Sequence, residues 1–240
     1  MRFSFLVRRW HKWLSLIIGV QALLWLISGI YMVTVNLDFI HGDHLVTRLD
    51  EPVAQDAVKV FMPEISARYP EARSIHLRSW LGKPVYRVDL AEGAILLDAG
   101  TGTILSPISE AGARAVASYH YALDGEISSV ALIDSNSDRS TEIQANRLPM
   151  WQVSFDDAGE TRFYISPSDG RLVVKRHRYW RWFDFVWMFH IMDYETRDDI
   201  NNNLLRLAAL LGTLTSLAGL CLLFYSFNRK KSASVEGGAK

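Results

Sequence analysis

Hydrophobic positions follow two patterns along this chain: unbroken runs near the ends and alternation in between. Leu14 to Val35 is 22 residues without a charge, and Leu207 to Phe227 is 21. At about 1.5 Å of rise per residue, each is enough helix to cross a hydrocarbon core of about 30 Å. Between them, Ser74–Trp80 and Val85–Leu90 alternate as strands and Ala94–Asp98 reads as a third, with Ala91-Glu92-Gly93 and Asp98-Ala99-Gly100-Thr101-Gly102 as turns. The pattern then restarts. Ile127–Asp134, Met150–Phe155 and Thr161–Ser166 read as strands, with turns at 156–159 and at Pro167-Ser168-Asp169-Gly170.

Each set of strands follows a helical stretch. Val53, Ala57, Val58, Phe61 and Ile65 share one face of a predicted helix. Asp50 is its expected N-cap, Pro63 kinks it, and Tyr69-Pro70 ends it. Ser109-Glu110 opens the second, through Tyr121. The halves match at an offset of 65 to 68 residues, with Tyr86 against Trp151 and Gly102 against Gly170, so they read as two repeats. Asn136–Arg147 is polar and reads as a long mobile loop. The fold class is therefore α+β: two repeats of helix plus antiparallel sheet, anchored by two transmembrane helices.

Charge changes the picture by giving the chain an orientation. The formal net charge is zero, but the signs are segregated. Residues 1–13 carry four Lys/Arg and no acid, and 228–240 carry four Lys/Arg and Glu236. With Arg206 the remaining basic residue outside 36–203, that middle stretch keeps 17 Lys/Arg against 25 Asp/Glu, a net of about −8. Basic ends around an acidic middle follow the positive-inside pattern, so both termini are expected in the cytoplasm and the main domain in the periplasm of a bacterial inner membrane. The bulky stretch Tyr31–Val35 has no small-x-small cleavage pattern, so the first run reads as a retained anchor. Cys221 is the single cysteine, which excludes an intramolecular disulfide and a CxxC site. No G-x-S-x-G, phosphate loop or dinucleotide fingerprint occurs, and no basic patch marks the middle for nucleic acid.

The expected segments are a cytoplasmic N-terminus (1–13), a first span (14–35) and a periplasmic domain (36–178) with repeats at about 50–107 and 108–175. A segment at 179–203, a second span (204–227) and a cytoplasmic tail (228–240) follow. Residues 179–203 begin with an aromatic run, Tyr179-Trp180-Arg181-Trp182-Phe183, which predicts a helix at the membrane–water boundary followed by a polar turn. Gln21 and Ser28 in the first span, and Thr213, Thr215 and Ser216 in the second, suit hydrogen bonding between helices. Gly19, Gly29, Gly212 and Gly219 permit close approach.

Several of these motifs together resemble the PepSY-associated transmembrane proteins. They are Arg8-Arg9-Trp10-His11-Lys12-Trp13-Leu14 with Ser28-Gly29, the stretches D-A-G-T-G-T-I-L (98–105) and S-P-S-D-G-R-L-V (166–173), and Phe189-His190-Ile191-Met192-Asp193-Tyr194 before the last span. The resemblance covers nearly the whole chain and makes the two repeats PepSY-like. Larger members carry four helices and take part in reducing ferric siderophores in the periplasm, with heme b held between helices by histidines; this chain has two helices. The resemblance implies a heme-binding protein that passes electrons from an unidentified donor to periplasmic ferric iron or ferric siderophore in support of iron uptake.

The candidate heme ligands are His41, His44 and His190 toward the periplasmic edge and His11 at the cytoplasmic edge. One chain would pair His41 or His44 with His190. Alternatively, a homodimer would supply the same histidine twice in a four-helix bundle. His41, Asp43 and His44 also read as a weak ferrous-iron site, since imidazole and carboxylate together suit iron. His76, His120 and His177 read as structural. An alternative from a different class is a non-enzymatic PepSY module that binds a periplasmic protein or inhibits a protease.

Overall fold

A computed structural model describes residues 2–47, 52–134 and 142–236. The chain divides into a helical unit, 1–35 with 183–240, and a domain unit, 36–182.

In the helical unit, α1 (Arg2–Thr34) is a continuous helix. In the domain unit, α2 (Leu37–Ile40) is one turn whose Asn36 cap accepts from the Phe39 N–H. In this segment Ile40 and Leu45 are buried, and Leu45 packs into the main core. Gly42 has φ +77° there, and a Cβ on it would lie 2.9 Å from Leu45 Cδ1, so the turn requires glycine.

The first half of the domain follows. The expected N-cap, Asp50, lies outside the described residues. A 3₁₀ turn (Gln55–Ala57) precedes α3 (Met62–Arg68). Pro63 therefore sits in the first turn of α3, where its missing N–H costs nothing, rather than kinking a longer helix. Strands β1 (Ser74–Trp80), β2 (Lys83–Leu90) and β3 (Gly93–Asp98) form an antiparallel sheet in the order β1-β2-β3. Ile65 of α3 packs on Tyr86, Val88 and Leu97. Thr103–Leu105 adds only a bridge between Leu97 and Ile104.

The second half is larger. It has α4 (Glu110–His120), capped by the Ser109 hydroxyl, and then β4 (Glu126–Ile133), β5 (Met150–Asp156), β6 (Arg162–Ile165) and β7 (Leu172–Arg176), paired in that order. Alternation sends Val153, Phe155, Phe163 and Ile165 to α4, where Val116 and Ala117 meet them, and Tyr121 stacks on Phe155 at 3.9 Å. Met150, Tyr164 and Val174 face the other way onto Ile143. The carboxylate of Glu142 lies beneath Tyr164 and takes its hydroxyl at 2.6 Å together with Arg162 and Arg181. The end of the expected mobile loop is thus pinned by buried Glu142 and Ile143; residues 135–141 lie outside the described residues.

The two halves are stapled through one turn. Asp169 and Gly170, between β6 and β7, receive Arg78, Trp80 and Arg87 from β1 and β2. Arg78 Nη2 donates to the Asp169 carbonyl, Trp80 Nε1 donates to the Gly170 carbonyl at 3.1 Å, and Arg87 Nε reaches the Asp169 carboxylate at 3.1 Å.

Helix α5 (Arg178–Ile191) crosses from the domain unit into the helical unit, and α6 (Asn203–Glu236) completes the chain. Among the described residues, two helices are long and apolar enough to span a membrane, Phe5–Thr34 and Asn203–Phe227, and only 11% and 6% of their apolar windows is buried. A core helix of the same composition would hide most of that surface, so the pair fits a two-pass membrane protein.

Candidate functional site

The helical unit is built on α1. Three side chains converge on the open C-terminal end of α5, where the last carbonyls have no partner within the helix. Gln21 Nε2 donates to the Phe189 carbonyl at 3.0 Å, Trp25 Nε1 to that of His190 at 2.8 Å, and Asn202 Nδ2 to that of Ile191 at 2.9 Å. Gln21, Trp25 and Ser28 lie within the apolar run, so α5 ends beside apolar helix rather than in water. An unpaired carbonyl is costly there. Met192 turns at φ +55°, and the Asp193 carboxylate collects the N–H groups of Glu195, Thr196, Asp198 and Asp199. Asp184 on α5 pairs with Arg197 at 2.7 Å. Replacing Gln21 by Leu is expected to lower stability by about 1–2 kcal/mol, by orphaning the Phe189 carbonyl. A thermal midpoint equal to wild type in detergent would refute this role.

His190 is held by that same framework. Its Nδ1 lies 2.8 Å from Ser28 Oγ, and Ser28 spends its one proton on the Leu24 carbonyl at 2.6 Å. The hydroxyl therefore accepts, Nδ1 carries the proton, and Nε2 keeps a lone pair. The ring lies over Gly29, where a Cβ would sit 3.9 Å from Cε1, and parallel to Trp187. His11 has the same arrangement on α6. Its Nδ1 donates to the Thr215 carbonyl at 3.0 Å, and the ring covers Gly219, whose Cβ would meet Cε1 at 3.1 Å. Gly212 lies against Trp25, and nothing comes within 4 Å of Gly19. Thr213, Thr215 and Ser216 do not bridge helices; each donates back to its own helix four residues earlier.

In the domain unit, 36–47 and 175–179 form a second histidine cluster. His44 stacks on Phe39 at 4.4 Å and meets the edge of His177 at 5.3 Å. His177 is buried and donates Nε2–H to the Phe39 and Ile40 carbonyls at 3.0 and 3.2 Å. Burial pushes both imidazoles below the usual histidine range, so they are neutral at pH 7. Asp43 pairs with Lys175 at 2.7 Å, and His41 is exposed and ends α2 through its backbone. The structure thus groups His44 with His177 and Phe39. Among the described residues no three His, Cys, Asp or Glu side chains converge as a metal site.

Heme requires an imidazole with a free ring nitrogen, held by its other N–H. His11 and His190 fit that requirement. They meet α1 at positions 11 and 28, about 25 Å apart along the helix at about 1.5 Å per residue. Each level therefore has one such imidazole per chain. Trp25 and Asn202, which complete the seat of His190, carry no sequence signal for the role, because the need arises only when α5 ends against α1. Comparison with protein-family models, curated proteins and solved structures finds no match.

Proposed function

We propose that the chain is a two-pass, heme-binding inner-membrane protein. In this reading it passes electrons to periplasmic ferric iron or ferric siderophore and works as a homodimer. The observation that carries the reading is the matched pair of seats: His190 on Ser28 and His11 on the Thr215 carbonyl, each with Nδ1–H bonded and Nε2 presenting its lone pair. The resemblance of the repeats and flanking motifs to PepSY-associated proteins supports the rest, and the basic termini support the orientation.

His190 would hold heme b at the level of Ser28, and His11 would hold a second at the cytoplasmic edge. The heme would supply one-electron redox chemistry between donor and ferric acceptor. The Ser28 hydroxyl and the Thr215 carbonyl would fix each ring plane and leave Nε2 aimed away from its seat. A second copy would bring its own His190 and His11 to help hold the group at each level, since the described helical unit offers one such imidazole per level. His44 and His177 are neutral structural rings in this reading, and their packing on Phe39 closes the start of the domain.

Protein purified from heme-replete cells is expected to show a Soret band that shifts on dithionite reduction. His190→Ala and His11→Ala should each lose about half the heme per chain, and the double variant all of it. A colourless wild-type preparation would sink the proposal and favour the non-enzymatic binding module.

A further inference from the structure

Where the two halves of the domain unit meet, β1 and the hairpin tip at Leu81-Gly82 face the end of α4 and the turn at 170–172 across a cleft of about 420 Å³. That volume lies in the range of small-molecule sites. Its lining combines apolar and aromatic side chains, Trp80, Tyr119 and Leu172, with the basic side chains Arg78, His120 and Arg171.

Arg78 is the unusual member. Its hydrogen bond goes to a neutral carbonyl, that of Asp169, and its buried Nε has no hydrogen-bond partner among the described residues. The neighbouring carboxylate is already taken. Asp169 binds Arg171 at 2.5 Å and Arg87 at 3.1 Å, while Asp89 binds Arg87 at 2.7 Å. Among the described residues, three guanidiniums therefore share two carboxylates, and Arg78, beside the cavity, meets Asp169 through its carbonyl and through longer-range charge rather than by a carboxylate hydrogen bond. Among the described residues, a half-buried guanidinium that hydrogen-bonds a carbonyl and shares its nearest carboxylate with two other arginines is under-compensated. Leu81 holds φ +53° at the hairpin tip, a conformation strained for leucine and retained where its side chain packs beside the cleft.

We infer that this cleft binds a small organic carboxylate, with its anionic end on the Arg78 and Arg171 guanidiniums and its apolar or aromatic body against Trp80, Tyr119 and Leu172. A guanidinium fork matches the two oxygens of a carboxylate, and the apolar wall selects against a bare inorganic oxyanion. The inference stands apart from the heme proposal, because its residues and its readout are separate.

The test is calorimetric titration of the full chain in detergent with indole-3-propionate, its neutral amide, and inorganic phosphate. The carboxylate should bind saturably, with the amide and phosphate each at least tenfold weaker. Arg78→Gln, with unchanged circular dichroism, should weaken carboxylate binding at least tenfold. Equal binding of carboxylate and amide in the wild type overturns the inference without any variant. So does phosphate binding as tight as the carboxylate, a folded Arg78→Gln protein that binds normally, or no binding at millimolar concentration.

Discussion

Gly170→Ala is expected to destabilise the domain by about 2–5 kcal/mol, from about 1–2 for the left-handed backbone and about 1–3 for overpacking. Gly170 has φ +64°, and a Cβ there would lie 2.5 Å from Trp80 Nε1 and 2.9 Å from Cε2. The indole cannot yield as a lysine tip would. It is rigid, and its Nε1 is committed to the carbonyl of the same glycine. Moving it breaks that bond and opens the seam between the halves. Gly82→Ala is the matched comparison. Its φ is +74°, but the nearest atom to its Cβ would be Tyr119 Oη at 3.6 Å, an ordinary contact. It should cost only that backbone term, about 1–2 kcal/mol. Thermal unfolding of the full chain in detergent measures both. Equal losses would show that Trp80 does not depend on the turn.

Asp169→Asn should cost about 3 kcal/mol at pH 7, because it leaves Arg87 and Arg171 facing a neutral amide. The carboxylate is 1% exposed. Burial pushes its pKa up, but the Ser166 hydroxyl, the Arg171 guanidinium and the Arg171 N–H outweigh burial and hold it below the usual carboxylate range. The sign follows. A depressed folded-state pKa contributes stability that is fully present above the unfolded value, about 3.9, and is lost as pH falls through the folded value. The gap between wild type and Asp169→Asn should therefore be constant from pH 7 to about 5 and shrink below about pH 4. Other carboxylates titrate in both proteins and cancel in the difference. Thermal midpoints of the pair between pH 3 and 7 check it, and a gap that stays constant to pH 3 would remove Asp169 as the titrating group.

Both experiments probe the same turn, and that turn shows how far the chain could be read. Pro167-Ser168-Asp169-Gly170 was legible as a turn from composition alone. Its partners were not, because Arg78, Trp80 and Arg87 lie about 80 to 90 residues earlier and alternation says only which face of a strand they share. Ser74–Trp80 matched β1 in full, and Ser109 capped α4 as expected. Pro63 was misjudged because a proline in the first turn and a proline at a kink have the same local sequence. The short segment 36–47 was too brief for any period to show that Ile40 and Leu45 are core. His190 was singled out for its surroundings, yet its hold on Ser28 spans 162 residues.

The sequence by itself determined the two apolar helices, the α+β class and the two-part domain, because each depends on periods of two or 3.6 residues or on an unbroken run. Tertiary structure alone decided which groups face the histidine nitrogens, which side chains close the end of α5, and which arginine bonds a carbonyl in place of a carboxylate. Those are questions of hydrogen-bond and charge pairing, and partners are settled only when distant strands and helices meet.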